Sequence, residues 1–132
     1  MDLIKARYFK GRDDIKNLSS LGVKLIRLYD WDADNNHKPF LDYCQQNNIQ
    51  VLVPVSNYNL GAFGSPPDMN ASITGLINSF SNTGDNSGTD YHPAIHAIII
   101  SSELDHTTVP VSYLSVYTQK WVEIEQQSYS NN

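Results

Sequence analysis

Residues able to do chemistry fall in three clusters along this chain. They are Tyr29-Asp30-Trp31-Asp32, Ser56-Asn57-Tyr58-Asn59 and Ser101-Ser102-Glu103-Leu104-Asp105-His106. Carboxylates, hydroxyls and amides can hold a polar ligand through hydrogen bonds. Tyr29, Trp31 and Tyr58 can line a sugar subsite, because a flat ring is an apolar platform for axial C–H groups; the same rings suit a core. Arg27 can orient a carboxylate such as Glu103 by a forked hydrogen bond, or serve as an internal ion pair that only supports the fold. His37, His92, His96 and His106 are scattered and match no zinc spacing, and His96 sits inside an apolar run where a core histidine is expected. Cys44 is the only cysteine and falls on the apolar face of a helical pattern, so an inert buried thiol is expected. Gly61-Ala-Phe-Gly lacks the spacing and the Lys of a phosphate loop.

The elements that position these clusters are legible as alternating patterns. Val23 to Tyr29, Ile49 to Val55 and Ile95 to Ile100 are short, β-branched and nearly continuous in apolar residues, as buried parallel strands are. Helical patterns separate them. One carries Ile15, Leu18 and Leu21, capped by Asp13 or Asp14 and stopped by Gly22. Another opens at Pro39, carries Phe40, Leu41 and Cys44, and ends at Asn47-Asn48. A third carries Ile73, Leu76, Ile77 and Phe80, and a fourth Val111, Leu114, Tyr117, Trp121 and Ile124. Lys5 to Phe9 can form one more strand. Ser81 to Tyr91 is rich in Asn, Gly, Ser and Asp and is expected to be an exposed, mobile loop. The order predicts an α/β fold with parallel strands and right-handed crossovers. Function in such folds collects at the carboxyl ends of the strands. All three chemical clusters fall at those ends, although any strand must leave through some polar loop.

The text of these strands resembles a known family. Gly22-Val-Lys-Leu-Ile-Arg-Leu-Tyr-Asp-Trp-Asp, followed by Phe40-Leu-Asp-Tyr-Cys-Gln-Gln-Asn-Asn-Ile-Gln-Val-Leu-Val-Pro-Val-Ser-Asn-Tyr, is similar to the early strands of fungal and oomycete-type β-1,3-glucan-active barrels. These are the β-glucanases and glucanosyltransferases of the large retaining clan. His92-Pro-Ala-Ile-His-Ala-Ile-Ile-Ile-Ser-Ser-Glu-Leu-Asp looks like their fourth strand. The resemblance covers Asp13 to Trp121. It implies a partial TIM barrel of three to four βα units, spanning residues 1–132 as one domain. It places Glu103 on the family's acid/base carboxylate, which protonates the departing glycosidic oxygen. With the residues at the strand ends, the expected substrate-binding set is Arg27, Tyr29, Asp30, Trp31, Asn57, Tyr58 and Ser102. Ser102 stands where the family has an Asn that holds the sugar 2-hydroxyl, and Leu104 replaces its Pro. The nucleophile comes from a late strand beyond this chain, so turnover by these residues alone is not expected. A non-catalytic carbohydrate-binding or pseudoenzyme protein is the alternative.

Composition narrows the partners. With 132 residues, one domain is expected, large enough to bury a core. A net charge of −5 and a pI near 5.1 leave no basic stripe for nucleic acid and no polybasic membrane patch. No cofactor and no metal is implied. The amino-terminal stretch carries no apolar segment of the secretory type, which leaves the compartment open. Three or four parallel strands cannot close a barrel. The expected partners are therefore a polysaccharide or oligosaccharide, together with a second copy of the chain or a missing barrel half.

Overall fold

The computed structural model describes residues 13–60, 68–100 and 109–129. Among them the order is α1 (Asp14–Ser20), β1 (Leu25–Arg27), α2 (Lys38–Gln46), β2 (Gln50–Pro54), α3 (Met69–Ser79), β3 (Ile95–Ile99) and α4 (Val111–Ser128). The strands form a parallel, open, three-stranded sheet in the order β1-β2-β3. The alternating α/β architecture read from the sequence is present, with strands one to four residues shorter than the apolar runs. The expected strand at Lys5 to Phe9 lies outside the described residues.

Local chemistry sets the helix boundaries. The Asp13 side chain accepts a hydrogen bond from the Lys16 backbone N–H, and Asp68 does the same for Ala71 at the start of α3. Each thereby satisfies a backbone donor that the first helical turn leaves unpaired. After α1 the chain reverses at Gly22, whose φ of 88° suits glycine, and the Val23 N–H bonds back to Leu18. After α2 the same task falls to Asn48 at φ 58°, with the Ile49 N–H on the Cys44 carbonyl at 2.9 Å. Asn is the non-glycine residue that best tolerates this left-handed conformation.

One core joins all four helices to one face of the sheet. Ile15, Leu41, Cys44, Ile73, Leu76, Ile77, Phe80, Tyr117 and Trp121 pack with Val51 and Val53 of the central strand and with Val55 just after it. Same-side crossovers follow from the strand order, because consecutive right-handed crossovers in one direction wind over one face. The opposite face is left uncovered by the described residues. The register places Arg27, Leu52 and Ala97 side by side on it, flanked by Leu25 and Ile99. Leu25 is 45% exposed.

His96 is exposed rather than core, which corrects the sequence expectation. Val51 pairs with Ile95, yet Leu52 pairs with Ala97, so His96 is the extra residue of a β-bulge. The bulge resets the alternation. Ile95, Ile98 and Ile100 all pack on the core while His96 is pushed out.

Residues 82–90 form the largely exposed loop that the composition predicts. Their outer residues are exposed, but Ser81 at the base is buried and pairs with Tyr91 in an isolated antiparallel bridge. The Ser81 hydroxyl takes the Gly84 N–H, and Asp85 takes the Ser87 N–H at 2.9 Å and both the Thr83 and Ser87 hydroxyls. Small polar residues here build a turn held by its own hydrogen bonds.

Candidate functional site

The carboxyl ends of β1 and β2 do come together. Arg27, Tyr29, Asp30, Asn57 and Tyr58 line one recess of about 400 Å³, together with Pro54 and Ile99. Five of the seven expected binding residues therefore share one cavity. Ser102, like Glu103, lies outside the described residues. Trp31 is placed in the core, 4% exposed, with its indole N–H donated to the Ser79 hydroxyl at 2.9 Å. Its ring packs 4.9 Å from Phe80 and 3.9 Å from His37. It anchors the loop after β1 and lines part of a neighbouring recess rather than this one.

The remaining rings are presented to solvent. Tyr29 is 80% exposed and Tyr58 61%. The Arg27 guanidinium stands 5.0 Å from the centre of the Tyr29 ring, which holds the two side chains over the recess. The pair supplies a cation and an apolar plate at one point.

A second recess of about 500 Å³ adjoins the first and shares Asp30, Ser56 and Tyr58 with it. It runs between the loop after β1, with Asp32 and Asp34, and α3, with Ala71, Ser72 and Gly75. One hydrogen-bonded chain stiffens its wall. Asn59 Nδ2 donates to Ser56 Oγ at 3.2 Å, and Ser72 Oγ donates to Asn59 Oδ1 at 3.3 Å. With its proton so used, Ser72 accepts from the Tyr117 hydroxyl at 3.1 Å. Burial pushes the Tyr117 phenol up to about 12, so it stays a donor at neutral pH. Nothing in the spacing of Ala71, Ser72 and Gly75 marked them for this site. The available signal was a glycine in the middle of a helix.

His92 belongs to a different place, ahead of β3. Its Nδ1 accepts the Ala94 N–H at 3.0 Å, so the proton resides on Nε2, which donates to Asp42 at 2.7 Å. Lys38 grips the other oxygen of Asp42, also at 2.7 Å. Desolvation pushes the Asp42 carboxyl upward, but the hydrogen bonds from His92 and Lys38 outweigh it and hold it below the usual range. The arrangement ties α2 to the entry of β3. Among the described residues no group of three or more His, Cys, Asp or Glu side chains is placed to hold a metal. No described helix is long and apolar enough to cross a membrane.

Compared with known proteins, the chain matches no family model, and no curated protein and no solved structure matches it significantly.

Proposed function

We propose that this chain is part of a glycoside hydrolase-like β/α barrel that engages a β-glucan at the carboxyl ends of its strands. The observation that carries the reading is the first recess, where Tyr29 and Tyr58 present exposed rings beside Arg27, Asp30 and Asn57. Exposed rings flanked by hydrogen-bonding groups suit a polyhydroxylated ring with one apolar face. The helix-covered and uncovered sheet faces support the barrel part of the proposal. In a closed barrel the side holding Arg27, Leu52, Ala97 and Ile99 would turn inward. A second copy or further βα units would complete it. Glu103 is the acid/base in this reading and needs a partner carboxylate about 5–5.5 Å away. The chain alone is therefore a binder that does not turn substrate over.

The test is titration of the chain with a soluble β-1,3-linked glucan oligomer, followed by NMR or calorimetry and by release of reducing sugar. The expected result is saturable binding, weakened about tenfold in Tyr58→Ala as a stacked ring is lost, with no sugar released. Lack of any binding would sink the proposal. Sugar release abolished by Glu103→Gln would show instead that the chain is a complete catalyst.

A further inference from the structure

Gly75 poses a question that the fold does not answer. It lies within α3, where glycine costs about 1 kcal/mol relative to alanine. Its φ is not in the left-handed region, so the backbone does not require it. Nor does packing: a Cβ built at Gly75 has no described atom within 4 Å. The other described glycines have such reasons. Gly22 and Gly84 have positive φ, and a Cβ on Gly88 would stand 2.3 Å from that of Ser81. Among the described residues, the missing side chain at Gly75 leaves open space, which belongs to the second recess.

We infer that the recess beside α3 is a second subsite, kept open by Gly75, for the next units of an uncharged sugar chain already held over the strand ends. The inference rests on the carbohydrate reading above and extends it to ligand length and charge. Continuity comes from Asp30, Ser56 and Tyr58, which wall both cavities, so a chain passing Tyr58 leaves one and enters the other. The Tyr117–Ser72–Asn59–Ser56 hydrogen-bond chain fixes polar groups along the path before any ligand arrives. Preorganisation of this kind reduces the ordering cost of binding. Charge selects the ligand class. The first recess holds both Arg27 and Asp30, and the second holds Asp30, Asp32 and Asp34 without a Lys or Arg in its lining. A polyanionic chain meets the aspartates, a polycationic chain meets the arginine, and a neutral chain meets neither penalty.

The experiment compares a β-1,3-linked gluco-disaccharide with the corresponding pentasaccharide, on the natural chain and on Gly75→Leu. The natural chain is expected to bind the pentasaccharide at least about tenfold more tightly. Gly75→Leu should remove that advantage, leave disaccharide affinity unchanged, and match or exceed the natural chain in urea midpoint. Gly75→Ala should show the same stability gain with a smaller loss of affinity. Equal affinity for the two sugars in the natural chain would overturn the second subsite while leaving the carbohydrate reading intact. A length advantage that survives Gly75→Leu would also overturn it. Failure of both sugars to bind would sink the carbohydrate reading and the subsite together. A hexa-uronate bound more tightly than the neutral chain would overturn the charge argument.

Discussion

At the scale of single residues, environment separates side chains that the sequence presents as equals. Trp31 and Tyr58 both follow strands and both carry rings. One is sealed against Phe80 and Ser79, and the other stands 61% exposed between two cavities. Sequence spacing could place them at the same end of the sheet but could not show which way each ring turns, because the turn geometry after each strand decides that. Cys44 was legible: it is fully buried, and burial raises its thiol to about 12, far from thiolate chemistry. Asp42 was not legible, since its partner His92 is fifty residues away. The pair has a pH signature. The Asp42 carboxyl titrates lower in the folded chain than its unfolded value of about 3.9. The unfolded chain therefore takes up this proton first as pH falls. The contribution is whole above that unfolded value and drains away as pH drops through the folded one. Because the carboxylate is 37% exposed, solvent screens the effect and it is modest. Urea midpoints at pH 6, 4.5 and 3 are expected to fall less steeply for Asp42→Asn than for the natural chain. An equal fall would show that other carboxylates account for the acid sensitivity.

At the scale of elements, caps and periodicity carried most of the reading. Asp13, Gly22, Pro39 and Asn48 each stand where a helix starts or stops, for reasons of backbone geometry that the residue type alone expresses. Two features escaped. The bulge at His96 was hidden because the residues on both sides of it are apolar without alternation, so an extra residue shifts no period. The exposure of residues 82–90 was legible, but the hydrogen bonds within the loop were not, because one composition suits open and self-bonded turns alike. The loop's compactness leads to a specific expectation. A Cβ at Gly88 would lie 2.3 Å from Ser81 Cβ and 2.5 Å from its hydroxyl. Ser81 has little room to yield, being 1% exposed and bonded to the Asn78 and Asp85 carbonyls. Gly88→Ala should therefore cost about 1–3 kcal/mol in chemical denaturation, the range of overpacked sites. A change within a few tenths of a kcal/mol would mean that the loop opens easily and that its hydrogen bonds contribute little.

At the scale of the whole molecule, the decisive feature is a sheet that the described residues cover on one side only. Four helices seal the face that carries Val51 and Val53, while the face with Leu25, Leu52, Ala97 and Ile99 has no described element over it. Open sheets with parallel strands are ordinarily covered on both faces, because each uncovered apolar side chain forgoes the gain of leaving water. The strand order that makes the sheet open also puts the uncovered side chains beside the first recess, so covering that face and shaping the ligand site are one problem. The resemblance to a barrel made the open face expected, since three strands cannot close; what sequence could not supply is which surface meets it. The consequence is measurable as mass. Light scattering is expected to give a value near the monomer mass of 14.9 kDa at low concentration and to rise toward twice that as concentration increases. Leu25→Lys, at a position already 45% exposed, should hold the chain at monomer mass without lowering its thermal midpoint, because the charge opposes contact between sheets and not folding. A natural chain that stays at 14.9 kDa at every concentration would mean that this face is satisfied within one molecule, and the incomplete-barrel reading would lose its main structural support.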